Sequence, residues 1–252
     1  MRRDCNLLTV DSQLNISLMN EKNKVWGLVP GAGIGRRMGA VIPKQYSKVN
    51  GISIFHHSLE KICNCRDISG VIAGISEKDL FWQTEPYEHP VFLGTFIGGQ
   101  NRSDTVWSGL KDLMECRRAD LHDWVVVHDA ARPCIIENDV NRVISEAQLT
   151  GIGAVLGARI IDTVKKTDSA GKVLKTSRRD NFWRAFTPQV FRIGLLMRAL
   201  ESVSAAGVEV TDESMAMEYA GHTPIMVQGD PTNIKITVPN DLKLAELFLN
   251  RT

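Results

Sequence analysis

No stretch of the 252 residues approaches the ~20 consecutive apolar positions that a membrane-spanning helix needs. The apolar run from Val25 to Gly35 is broken by Pro30 and by glycines. Net charge is almost absent too: 30 Lys and Arg stand against 29 Asp and Glu, a formal +1. A chain so balanced is not built to coat nucleic acid, although a local basic site stays open. Cysteine is sparse and odd in number, and Cys5, Cys63, Cys65, Cys116 and Cys134 give no disulfide framework. Cys63-Asn64-Cys65 has no second pair downstream to complete a zinc set. Free thiols imply a reducing compartment, so the expectation is a cytoplasmic protein. The histidines show no HExxH spacing, and the GxSxG elbow of serine hydrolases is missing.

What is present is enough for a folded protein. Hydrophobic residues make up 43% of the chain, which excludes a mostly disordered one. The length suits one α/β domain with an appendage, or two small domains, with a core that needs no staples. Residues 1–23 differ from the rest. They are polar, contain Asp4, Asp11 and Glu21, and lack the apolar centre of a secretory signal. The expectation is an N-terminal extension, disordered, with the fold beginning near Lys24.

From there strands and helices alternate. Val25 to Val29, Val71 to Ile75, Phe92 to Ile97, Trp124 to Val127 and Gly153 to Gly157 read as buried strands. Ile54 to Cys63, Ser103 to Cys116, Glu137 to Leu149, Leu195 to Val203 and Pro239 to Leu249 have helical spacing. Thr223 to Val227 and Asn233 to Thr237 read as late strands. The alternation predicts an α/β fold: a mainly parallel, Rossmann-like sheet with helices on both faces. Residues 159–184 break the rhythm. Two β-prone runs flank Asp168-Ser169-Ala170-Gly171, which predicts a protruding β-hairpin arm. Such a hairpin is marginal alone and needs support, for which a partner subunit is the natural candidate.

Three glycine-bearing or charged turns follow apolar strands. Pro30 to Gly39 carries four glycines and Arg36-Arg37, and Lys44 lies just beyond. Backbone amides and fixed cations on such a loop suit oxyanions. The plainer reading is a glycine-rich turn with solvated arginines. The spacing fits neither GxxxxGK[ST] nor GxGxxG, whose last position is Arg36 here, so a P-loop and a dehydrogenase fingerprint are excluded. Gly98-Gly99-Gln100-Asn101-Arg102-Ser103-Asp104-Thr105 opens a helix, where Ser103, Asp104 and Thr105 read as caps or anion contacts. His128-Asp129 ends a strand at the sheet edge where ligands bind in α/β folds. Asp129 could hold a ribose hydroxyl or a divalent cation, or simply pair with Arg132. Lys235 could be a surface charge or could enter a site.

Seven motifs, PGAGIGRRM, PKQY, GGQNRSDTV, HDAARP, RRDNFWRAFTPQ, TDESMAMEY and NIKIT, run in order from Pro30 to Thr237. Together they resemble the 2-C-methyl-D-erythritol 4-phosphate cytidylyltransferases of the methylerythritol phosphate route to isoprenoids. The resemblance covers about nine-tenths of the chain and makes residues 24–252 a nucleotidyltransferase domain. It implies transfer of a cytidylyl group from CTP to a sugar-alcohol phosphate, with pyrophosphate released and a divalent cation, usually magnesium, assisting. By motif position Arg37 and Lys44 would be catalytic cations. Gly31, Ala32, Gly33, Gly35, Arg36, Gly99, Gln100, Thr105 and Asp129 would bind CTP. Thr163, Arg179, Thr211 and Lys235 would bind the second substrate. Asp129 would meet the metal mainly through phosphates or water. The resemblance also implies a homodimer in which the arm crosses to close the partner's site, with no nucleic acid and no membrane involved.

Three positions depart from the family pattern. Gly31 stands where alanine is usual, which should keep the amide for base reading on a looser loop. Gln100 stands where an acid is frequent, and Thr105 where serine is frequent. Two other readings stay in view: a ribitol 5-phosphate cytidylyltransferase, and a catalytically silent nucleotide-binding protein.

Overall fold

A computed structural model describes residues 23–33 and 42–250. The expected extension, apart from Asn23, and three site candidates, Gly35, Arg36 and Arg37, lie outside the described residues. In β1 (Val25–Pro30) Val25 and Val29 enter one apolar layer, while Trp26 and Leu28 enter another. β6 (Trp124–Val127) repeats the pattern, with Trp124 and Val126 on the first side and Val125 and Val127 on the second. Strands apolar on both sides must be covered twice.

The covers are helices whose boundaries follow their caps. On the first side lie α1 (Ile54–Cys63), with Leu59 and Ile62 inward, and α4 (Glu137–Thr150), with Val140, Val143 and Ile144 inward. Ser53 opens α1 by accepting the His56 amide, and Gly151 closes α4 at a φ of 72°. On the second side lie α3 (Arg102–Cys116), α5 (Ile193–Ala205) and α6 (Glu213–Tyr219). A short α2 (Leu80–Thr84) lies beyond β4 (Gly70–Ile75). The last helix, α7 (Pro239–Leu249), packs Ala245 against Ile54, Ala131 and Ile236.

The remaining strands of the main sheet are β5 (Phe92–Ile97), β7 (Gly153–Arg159), β10 (Trp183–Arg192) and β11 (Ile225–Gln228). The seven-stranded order is β11-β7-β10-β6-β1-β4-β5. All neighbours are parallel except β10, which runs antiparallel to both β6 and β7. The mainly parallel α/β fold is therefore present.

Two local expectations change. Residues 183–192 form a central strand that the apolar pattern does not announce, and Pro188 is absorbed where the β10–β7 register shifts between Ala185 and Gln189. Asn233–Thr237 is not a strand but an irregular segment, held to the HDAARP turn by the Ile236 amide donating to the Ala131 carbonyl at 2.9 Å.

A small hairpin, β2 (Lys48–Val49) with β3 (Ile52–Ser53), turns through Asn50 and Gly51 at positive φ. The predicted arm is β8 (Val164–Thr167) paired with β9 (Val173–Ser177) in a two-stranded sheet of its own. Asp168 organises its turn by accepting the Ala170 and Lys172 amides. Among the described residues no helix is long and apolar enough to cross a membrane. Cys63, Cys65, Cys116 and Cys134 are free thiols, and burial pushes Cys63 and Cys65 up to about 12.

Candidate active site

Because β1, β5 and β6 belong to a parallel set, the turns that follow them open on one edge of the sheet. The described start of the first turn, Gly31 to Gly33, is pinned. The Gly31 amide donates to the Gly74 carbonyl at 2.8 Å, and buried Gln45 donates to the carbonyls of Gly31 and Gly33 at 2.8 and 2.9 Å. The Gly31 amide is thus engaged inside the fold instead of being offered to a base. A Cβ on Gly31 would lie 2.4 Å from Phe55 Cζ, so the Phe55 ring fills the place of an alanine methyl.

Gly31→Ala should therefore destabilise the fold by about 1–3 kcal/mol, as overpacking does, and raise the KM for CTP. Adding Phe55→Leu should recover part of both. Thermal midpoints and CTP kinetics of the three proteins check this. A fully tolerated Gly31→Ala would mean that the turn is softer than its packing implies.

The second turn meets the first through Gly98, where a Cβ would sit 2.5 Å from the Ala32 methyl. The cap of α3 is Asn101, not Ser103, Asp104 or Thr105: its side chain accepts the Asp104 amide at 2.9 Å, and Asp104 closes the capping box. Thr105 faces the other way, accepting the Gly99 amide at 3.1 Å and donating to the Asn101 carbonyl at 2.9 Å.

The third turn carries the electrostatic centre. Asp129 is buried. Its Oδ1 accepts Arg102 Nε at 2.7 Å, its Oδ2 meets Lys235 Nζ at 2.9 Å, and Arg132 Nε stands 3.5 Å from Oδ2. Burial alone would raise the Asp129 carboxyl, but Arg102, Lys235 and Arg132 outweigh it and hold it well below the usual carboxylate range. The bland reading of an Asp129–Arg132 pair is thus the weakest of its three contacts. Burial likewise works against Arg102, yet Glu213 and Asp129 raise it further above its ordinary value.

Behind the carboxylate lies a relay of neutral groups. The His128 Nε2–H donates to the Arg132 carbonyl at 3.0 Å, which leaves Nδ1 to accept from the Thr187 hydroxyl at 3.3 Å. Thr187 in turn accepts the Asp129 amide at 2.9 Å. Burial pushes His128 down to about 4, so it serves as a neutral brace.

These turns and Lys44 surround a cavity of about 270 Å³, near the low end for small-ligand sites. Of the residues expected from the sequence, Gly31, Ala32, Gly33 and Lys44 line it from one side. Gly99, Gln100, Thr105, Asp129 and Lys235 complete it from the others. Lys44 Nζ lies 3.3 Å from the carbonyl of Ile236, the residue after Lys235. Thr163 and Arg179 are exposed at the base of the arm, where Arg179 donates to the Ile161 carbonyl. Thr211 precedes α6, with its hydroxyl 3.8 Å from Met215 Sδ. None of these three lines the Asp129 cavity within one chain.

Sequence reasoning passed over Arg102 and Gln45, although both sit in the quoted motifs. It also passed over Glu213 and Thr187, whose partners become visible only in three dimensions. Among the described residues no group of three His, Cys, Asp or Glu side chains gathers to hold a metal. Asp129 is the one carboxylate among the described residues that line the cavity, and with Arg102 and Lys235 on its two oxygens it leaves a divalent ion to take its ligands from phosphates and water.

Comparison with known proteins agrees along almost the whole chain. The family model for 2-C-methyl-D-erythritol 4-phosphate cytidylyltransferase (IspD) matches residues 25–251. A Hahella chejuensis protein of that name is 41% identical over 231 residues, which is 92% of this chain and 95% of the relative. A Shewanella halifaxensis protein of the same name is 43% identical over 227 residues, 90% of this chain and 96% of its own. A crystal structure of 4-diphosphocytidyl-2C-methyl-D-erythritol synthase superposes with a TM-score of 0.79 at 32% identity, covering 91% of this chain and 100% of that one.

Proposed function

The chain belongs to the 2-C-methyl-D-erythritol 4-phosphate cytidylyltransferase family, and from that premise we propose how its residues divide the work. The reaction moves CMP from CTP to 2-C-methyl-D-erythritol 4-phosphate, giving 4-diphosphocytidyl-2-C-methyl-D-erythritol and pyrophosphate in isoprenoid precursor synthesis. Neither a ribitol 5-phosphate acceptor nor silent nucleotide binding is favoured by the relatives' names. The unit that does this is residues 24–252 with the arm at 159–184, working in the cytoplasm as the thiols suggest.

The attacking group is a phosphate monoester with a second pKa of ~6, so it is mostly dianionic at neutral pH and needs no general base. The task is to bring two anions together in line, which calls for placement and neutralisation. The observation that carries this reading is the pairing of Arg102 and Lys235 with Asp129, beside Lys44, in one cavity, with buried Arg132 3.5 Å from the same carboxylate. Gly31, Ala32, Gly33 and Gly35 wrap the nucleotide, and Gly99, Gln100 and Thr105 border the base. Arg36, Arg37 and Lys44 meet the triphosphate, while Lys235 faces the acceptor. Asp129 orders Arg102, Arg132 and Lys235, and it would meet magnesium only through water. Magnesium, bound with CTP, supplies further charge neutralisation on the phosphates.

Thr163 and Arg179 lie away from the cavity in their own chain, and Ile161, Val173, Leu174 and Phe182 are exposed on and beside the arm. A homodimer that exchanges arms would cover that apolar surface and deliver Thr163 and Arg179 to the partner's acceptor site, with Thr211 nearby. The test is pyrophosphate release by the full chain with CTP, magnesium and either methylerythritol phosphate or ribitol 5-phosphate. Release with the first acceptor alone is expected. Arg179→Ala should raise the KM for the sugar phosphate more than that for CTP, and an unaltered acceptor KM would remove Arg179 from the site.

A further inference from the structure

Glu213, the first residue of α6, is 1% exposed, and the steps above give it no part. Its two oxygens accept both terminal nitrogens of Arg102, Nη1 at 2.6 Å and Nη2 at 3.0 Å. Such a fork-to-fork pair fixes the plane of the guanidinium. Only the Nε edge of Arg102 is then turned to Asp129, and it takes one oxygen, Oδ1. The other oxygen, Oδ2, takes Lys235 at 2.9 Å, with Arg132 Nε farther off at 3.5 Å.

The placement of Glu213 is itself built in. Gln189 on β10 accepts the Ser214 amide at 2.9 Å and donates to Asp212, the cap of α6, at 2.9 Å. Two residues earlier on the same strand, Thr187 holds the Asp129 amide. One strand therefore fixes the main chain beside both carboxylates that grip Arg102. Without Glu213 the Arg102 fork would be free to take both oxygens of Asp129, as arginine forks prefer, and Lys235 would lose its partner.

We propose that Glu213 is a positioning residue for cytidylyl transfer, which by chelating Arg102 reserves the second oxygen of Asp129 for Lys235. The inference rests on the function proposed above and adds a determinant to that site. Its test is a double-mutant cycle between Glu213→Gln and Lys235→Ala, read as kcat and KM for both substrates, with thermal midpoints recorded alongside. Glu213→Gln should lower kcat about tenfold, the scale of a hydrogen bond to a charged group, with the KM for CTP within about twofold. In the Lys235→Ala background the same change should cost less than about threefold, because its target is gone. Equal losses in both backgrounds, or no loss in the parent, overturn the proposal, since a merely structural glutamate lowers the midpoint and leaves the cycle additive. Arg102→Lys, which has no fork to chelate, replaces Glu213→Gln if that variant does not fold, with the same outcomes. An unaltered chain that releases no pyrophosphate would instead sink the function itself, and this proposal with it.

Discussion

Asparagine in place of Asp129 is expected to lower the unfolding free energy by about 3–5 kcal/mol and to slow the reaction by tenfold or more. The stability loss follows from what stays behind. Arg132 is buried, and Arg102 and Lys235 converge on the same carboxylate at 2.7 and 2.9 Å. Removing the one charge they share takes that counterion from Arg132 and Lys235 and leaves Arg102 with Glu213 alone. The kinetic loss is the sharper test, because charge counting predicts the opposite. A site that gathers phosphates should gain from losing a negative group if total charge were all that mattered. A slower Asp129→Asn enzyme would show that the carboxylate acts by fixing where the cations stand. Turnover equal to or faster than the parent's, in a variant that stays folded, would refute that role.

The pH dependence has a defined sign. The folded-state pKa is depressed, so the stability Asp129 contributes is present above its ordinary value of 3.8 and is lost as pH falls through the lower folded value. Urea midpoints of parent and variant should stay apart down to that ordinary value and converge only below it.

The strands were readable because their signal is local. Val25 to Val29 and Trp124 to Val127 are apolar at every position except Gly27, and only a strand covered on both faces calls for that. The helices were readable from the spacing of Leu59 with Ile62 and of Val106, Leu110 and Leu113. β10 was not readable, because Trp183–Arg192 mixes arginines, aromatics and a proline. Its identity comes from lying between β7 and β6, where pairing on both sides overrides local preference. Asn233–Thr237 failed in the opposite sense: Ile234, Ile236 and Thr237 suit a strand, but the segment bends to carry Lys235 to Asp129. In the site, loops and cations showed in the motifs while their pairing did not. Arg102 finds Asp129 across 27 positions and Glu213 across 111, and no spacing rule links residues so far apart.

The other large effect belongs to the two cations assigned to the transition state. Lys44→Ala and Arg37→Ala should each lower kcat by roughly 100-fold or more, the scale on which a lost charge stabiliser acts. As pyrophosphate departs, negative charge grows on the oxygen that leaves the α-phosphorus, and a cation placed there is worth more at that moment than in the ground state. Lys44 is held for such a task. It begins a tight turn after Pro43, its ammonium reaches the backbone beside Lys235, and Gln45 next to it ties down the glycine turn. Lys44 and Gln45 together thus join the glycine turn to the segment that carries Lys235, so loss of Lys44 should slow the step far more than it weakens CTP binding. The check is kcat against KM for each variant, with CTP affinity measured separately by calorimetry. A drop in CTP affinity as large as the drop in kcat would reduce Lys44 to a binding cation. Undiminished turnover in either variant would remove that residue from the chemistry, whatever its place in the cavity.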